Sequence, residues 1–224
     1  MYVRNSDHHV TPEHRDAYIK LLTQHARSAK KSLAKRFDVM QALADANFLV
    51  TVEVYKDKAA WLQLSPAVTV LTAASKGWLD EARNRTSEAK NLEPTDPEWE
   101  TAYEGAQPRW PTFGPVYTHN TWTYAQPGQA EKLAHLLVEE IRLAKKMERG
   151  IIRFDIYQNL EDPHLLHPYE VWTDQAAHRF HFEQAYLKEF LQTGVPLYDR
   201  ARMGSTVECR QLEPNDAEWR RGQK

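Results

Sequence analysis

Four histidines, His164, His167, His178 and His181, fall within eighteen residues of the second half of the chain. The equivalent stretch of the first half has none. His178 and His181 are three apart in a predicted helix, a spacing that sets both on one face. A neutral imidazole that titrates near pH 7 can take the proton of a phenol or quinol. Trp172, at the end of a predicted strand, offers a flat face on which an aromatic ring could stack. Asn120, on another predicted strand, supplies a side-chain amide, with Asn5 as its echo. The same histidines with Glu170 or Glu183 allow a second chemistry, Zn or Fe ligation by His-x-x-His. No H-E-x-x-H or cysteine-containing pattern supports it, and no metal is expected. The chain also lacks a Gly-rich phosphate loop and a nucleophile-elbow motif, which argues against dinucleotide, nucleotide and Ser–His–Asp chemistry.

The elements that must position these residues are written twice. Arg153–Ala177, RFDIYQNLEDPHLLHPYEVWTDQAA, repeats Arg36–Ala60, RFDVMQALADANFLVTVEVYKDKAA, with roughly half of the positions identical. Each copy predicts strand, turn, strand and the start of a helix, and a repeat of this kind decides the fold. Upstream, Tyr2–Val10 and Tyr117–Ala125 are matching strand candidates. Pro12 and Pro127 then stand where a proline opens a helix. Tyr18, Leu21, Leu22, Ala26 and Ala29 make one apolar stripe; Leu133, Leu136, Leu137, Ile141 and Ala144 make the other. Asp57 and Asp174 are placed to cap the next helices, and Pro66 is expected to break the first of them. RTSEAKNLEP and STVECRQLEP are the closing strands, ending at Pro94 and Pro214. The echo continues from Thr95–Trp99 to Asn215–Trp219.

The order β-α-β-β-α-β in each half predicts an α+β fold of two ferredoxin-like repeats. A four-stranded sheet covered on one face leaves the other open, and two copies in one chain can pack sheet to sheet as an intramolecular barrel. The expected domains are 1–105, a Pro- and Gly-rich linker at 106–114, and 115–224. A net charge of −2 favours neither nucleic acid nor an anionic membrane as partner. Cys209 is the only cysteine, so no internal disulfide forms, and no apolar run is long enough to span a membrane. The expectation is a soluble, cytoplasmic protein.

The run G-x-x-R-F-D-x-x-Q-x-x-E-D-P (Gly150–Pro163), the strand end Glu170–Trp172, D-x-A-A-x-x-x-H-F (Asp174–Phe182) and Leu212–Pro214 together resemble the antibiotic-biosynthesis monooxygenase domain. The resemblance covers nearly all of the second half and, more weakly, the first. It implies a dimeric α+β barrel formed within one chain, and leaves room for a further homodimer. It also implies a cofactor-independent monooxygenase acting with O₂ on a phenol, quinol or polyketide-like aromatic. In such a reaction the substrate supplies the electrons. His181 or His178 would act as base, Asn120 would hold the anion, and Trp172, Phe182, His167 and Tyr186 would line the substrate. The amide that oxygenases of this family carry four residues before the strand-end tryptophan is replaced here by Pro168, and by Thr51 in the first half. The alternative is a non-catalytic protein binding a small molecule or haem on the same barrel, with His181 or His178 as axial ligand. Because Leu64 stands opposite His181, the functional site is expected in the second half, with the first mainly structural.

Overall fold

The repeat sets the architecture. The computed structural model describes residues 1–92, 116–202 and 204–212. The first half runs β1 (Tyr2–His9), α1 (Arg15–Ser32), β2 (Ala34–Ala42), β3 (Phe48–Tyr55), α2 (Lys58–Leu62), α3 (Ser65–Ala74) and β4 (Arg85–Asn91). The second runs β5 (Tyr117–Tyr124), α4 (Ala130–Met147), β6 (Ile151–Asn159), β7 (Leu165–Trp172), α5 (Gln175–His181), α6 (Ala185–Thr193) and β8 (Ser205–Gln211). The hydrogen-bonded strand order is β1-β3-β2-β8-β5-β7-β6-β4, closing into a barrel. Within that order each half keeps the ferredoxin-like succession, β4-β1-β3-β2 and β8-β5-β7-β6. The α+β class and the barrel formed within one chain are therefore as expected.

By internal contacts the chain forms two compact units, one of Met1–Ala89 with the stretch from Cys209, the other of Lys90–Glu208. The division falls inside β4 and inside β8. The linker expected at 106–114, the closing Pro94 and Pro214, and the echo between Thr95–Trp99 and Asn215–Trp219 lie outside the described residues.

Residues that the two copies share turn out to hold the hairpins. Arg36 pairs with Asp38 at 3.1 Å and Arg153 with Asp155 at 3.7 Å. Gln41 Nε2 donates to the Ala46 carbonyl at 2.7 Å, and Gln158 Nε2 to that of Pro163 at 2.9 Å. The turns are tightened by Asp45 and Asp162, whose carboxylates accept from the backbone N–H two residues on. After each hairpin Asp57 and Asp174 cap α2 and α5, accepting from Ala60 N and Ala177 N at 2.8 Å.

The helix stripes are buried as their spacing requires: Tyr18, Leu22, Ala26 and Ala29 in one unit, Leu133, Leu137, Ile141 and Ala144 in the other. Leu21 and Leu136 are half-buried at the stripe edge. One local expectation is corrected. Pro127 lies in a turn with Gly128, whose φ of 75° ends the strand connection before α4 begins. The second-half helix is interrupted just as the first is, although it has no proline: Gln184 takes an extended backbone (ψ 139°) and starts α6. Among the described residues no helix is long and apolar enough to cross a membrane.

Gly150 is needed for packing. A Cβ there would collide with the Cβ of Ala177 on α5. Neither atom is the end of a flexible side chain, so the backbone would have to move. Gly150→Ala is expected to lower stability by about 1–3 kcal/mol, the usual range for overpacking, measured by chemical denaturation.

Candidate functional site

Each half builds one polar template on the helix-covered face of its sheet. A glutamate sits near the end of a strand, two residues before an aromatic: Glu53 and Tyr55 on β3, Glu170 and Trp172 on β7. The aromatic holds the carboxylate, through Tyr55 Oη to Glu53 Oε2 at 2.7 Å and Trp172 Nε1 to Glu170 Oε2 at 2.9 Å. Directly across the ladder stands a basic residue, Arg4 opposite Glu53 and His119 opposite Glu170. Arg4 Nη1 is 3.5 Å from Glu53 Oε1, and His119 Nδ1 is 3.0 Å from Glu170 Oε1. The fourth member follows the helix cap: Trp61, with Arg4 Cζ 4.6 Å from its ring centroid, or His178, with Nε2 3.5 Å from Glu170 Oε2.

The second unit brings together five of the seven residues singled out in the sequence. His181 lies against Trp172 (ring centroids 5.0 Å apart), Phe182 (5.9 Å) and Tyr186 (6.0 Å), and His178 against Trp172 (5.6 Å) and Phe182 (5.1 Å). Asn120 and His167 do not join them. Strand side chains alternate between faces, so Asn120 opposes its neighbour His119, and His167 opposes Pro168 and Glu170. Both are fully buried on the other side of the sheet, where His167 meets Trp122 edge-on at 4.4 Å.

His181 does not behave as a free base. Its Nε2 is 3.1 Å from Glu140 Oε1 and its Nδ1 is 2.7 Å from Glu148 Oε1. Burial alone would lower its pKa, but the Glu140 and Glu148 carboxylates beside it raise it to about 10. A carboxylate stands within 3.1 Å of each ring nitrogen, so neither is open to a substrate proton or a haem iron. Tyr186 donates its hydroxyl to Glu148 as well. Burial raises Glu140 to about 7 even with His181 beside it. For Glu170 burial works upward, yet His119 and His178 hold the carboxyl well below the usual range. For His119 burial works downward, and Glu170 nevertheless raises it. The sequence reading missed His119, Glu140 and Glu148. Glu140 carried a signal, since it stands three residues after Leu137 on the apolar stripe of α4.

The first unit contains a cavity of about 170 Å³ between its sheet and helices. Its polar side is formed by Arg4, His8, Tyr18, His25, Thr51 and Glu53, with Leu22, Phe37 and Leu71 on the apolar side. His8 links two of these groups: Nδ1 is 3.0 Å from the Tyr18 hydroxyl and Nε2 is 3.1 Å from Thr51 Oγ1. Enclosure, then the nearby Arg4 and His9, lower His8 to about 4, so its imidazole is neutral at pH 7. His25 is lowered by burial too. The repeat shows what differs in the second unit: Thr123, Leu133 and Pro168 replace His8, Tyr18 and Thr51. Tyr198, which follows the same bridge as Leu79, bonds to Thr123 there. The sequence points to the second half for function and to structure alone for the first, whereas this polar cavity lies in the first.

The class these features define is an α+β barrel whose two halves come from a single chain. Solved structures share it end to end. A candidate monooxygenase from Fusobacterium nucleatum is 13% identical, with a TM-score of 0.74 over 95% of this chain and 92% of that one. One from Lactobacillus acidophilus NCFM is 12% identical, with a TM-score of 0.71 over 94% and 93%. An anthrone oxidase-like protein is 11% identical, with a TM-score of 0.63 over 95% and 91%. Identities this low establish the shared fold. The chain belongs to the antibiotic biosynthesis monooxygenase family, whose model matches residues 1–65 and 115–193. No curated protein matches it.

Proposed function

We propose that the protein is a cofactor-independent monooxygenase that oxidises a single-ring quinol with O₂ in the cavity of the first unit. The observation that carries this is the cavity itself, with neutral His8 bonded to both Tyr18 and Thr51 at its wall. A cavity of about 150 Å³ holds a benzene ring. The 170 Å³ here therefore suits one substituted ring better than a three-ring polyketide.

The quinol hydroxyl donates to Tyr18 Oη, and the Tyr18 proton passes to His8 Nδ1. Burial and Arg4 oppose charge on His8. The quinolate left behind favours it, by about 4 kcal/mol for charges about 4 Å apart at an effective dielectric of about 20. That is enough to return the imidazole to the range where it can accept a proton near pH 7. The electron-rich anion then reduces O₂. One oxygen atom enters a ring C–H bond, and the other leaves as water with two hydrogens from the quinol, giving a hydroxyquinone. All four electrons come from the substrate, so no external reductant is needed.

Oxygen uptake with hydroquinone, a naphthohydroquinone and anthrone tests the proposal. The expected result is one O₂ consumed per quinol, hydroxyquinone identified by mass spectrometry, and rates that fall as rings are added. Uptake no faster than uncatalysed autoxidation for every quinol would overturn it. Tight binding of a quinol without turnover would favour the non-catalytic reading instead.

A further inference from the structure

We infer that His119, Glu170 and His178 form a binding site for one divalent first-row transition-metal ion of the zinc or cobalt class. Their ligand atoms all lie within 4.8 Å of one another. Two of the separations are already near those of a filled site: His119 Nδ1 to Glu170 Oε1 is 3.0 Å and His178 Nε2 to Glu170 Oε2 is 3.5 Å. With metal–ligand bonds of about 2.0–2.2 Å, neighbouring ligands in a coordination sphere stand about 3.0–3.5 Å apart. Two imidazoles and one carboxylate are donors suited to these ions.

A second observation is the burial and hydrogen bonding of His178. His178 Nε2 is buried and makes no hydrogen bond, and it faces the carboxylate from 3.5 Å. The carboxylate is held in place from outside the cluster by Trp172 Nε1, the kind of support that orients a ligating side chain. His119 remains partly exposed, with 15% of its side chain accessible, so the cluster is not sealed from solvent.

The third observation is the repeat. In the first unit the position opposite the strand glutamate holds Arg4, and the position after the helix cap holds Trp61, which covers the guanidinium. The fold thus places a permanent cation on Glu53. In the second unit both positions are imidazoles, side chains that can ligate a metal ion where a guanidinium and an indole cannot. A bound metal ion would give Glu170 what Arg4 gives Glu53. The site is separate from the cavity of the first unit, and the inference does not rest on the quinol reaction.

The test is Co²⁺ and Zn²⁺ binding by the whole protein after treatment with a chelator. Expected are a visible Co²⁺ absorption band saturating at one ion per chain, its displacement by Zn²⁺, and a Zn²⁺-dependent rise in melting temperature. His119→Arg restores the first unit's pairing, so it should fold, lose the band and lose the Zn²⁺-dependent rise. His178→Trp should do the same. No band and no Zn²⁺ effect with the intact protein would overturn the site. So would a band that survives His119→Arg and His178→Trp unchanged, which would place the ion on other histidines.

Discussion

Replacing His181 with leucine, the residue the first half carries at the matching position, should lower stability by about 3–5 kcal/mol, the range for breaking a buried ion pair. The loss of packing is minor, because leucine fills much of the same space. What matters is that Glu140 and Glu148, both about 4% exposed, are left facing each other without the imidazolium that now sits between them. Chemical denaturation measures the change. Converting Glu140 and Glu148 to leucine alongside His181 should recover most of it, since a well-packed apolar group often equals or betters a buried charge pair. A pH profile separates this cause from a cavity. Both groups bind protons more tightly when folded, His181 through its carboxylates and Glu140 through burial. A group with a raised folded pKa contributes stability fully below its unfolded pKa and loses it as pH rises through the folded value. Stability should therefore decline between about pH 4.5 and 7 for Glu140 and between about 6.5 and 10 for His181. Without His181 its own contribution should vanish, and the Glu140 decline should shift to higher pH, because the imidazolium that lowers Glu140 is gone.

Removing His8 should lower kcat with hydroquinone by about 10²–10⁴-fold, the usual contribution of a general base. His8→Phe is the variant of choice, because it keeps a ring in the wall while deleting both nitrogens. KM should change little if binding rests on the cavity shape and the Tyr18 hydroxyl. The sign of the pH effect also follows. Neutral His8 is the active form, and enclosure lowers it to about 4, so kcat/KM should hold steady from neutrality down to about pH 5 and fall below that. Filling the cavity by Leu22→Trp should abolish turnover in a protein that still folds. Activity that tolerates both changes would mean that oxidation occurs elsewhere in the chain.

Much of this was legible from the repeat. Two copies of R-F-D-x-x-Q with matching caps at Asp57 and Asp174 define hairpins and helix starts without reference to anything distant. The chemistry was less legible, for three physical reasons. Whether Asn120 shares a face with Trp172 depends on how β5 registers against β7, and nothing in either strand alone states it. The fate of His181 depends on carboxylates 33 and 41 positions away, which convert a neutral base into a fixed cation. The cavity is defined by what fails to fill it. Leu79, which lines it, stands where the second half has Tyr198, and a list of polar residues cannot display a vacancy of that kind.

The placement of β8 beside β2 has a bearing on synthesis. Met40, Gln41 and Ala42 pair with Gln211, Arg210 and Cys209, and Arg210 reaches back to Gln41 at 2.6 Å. During translation β2 emerges well before β8, so its outer hydrogen-bonding groups must wait until residues 209–211 are made before they find their partner. An unpaired strand edge recruits other chains. Between the emergence of residue 42 and that of residue 209 this edge of β2 is without its partner strand.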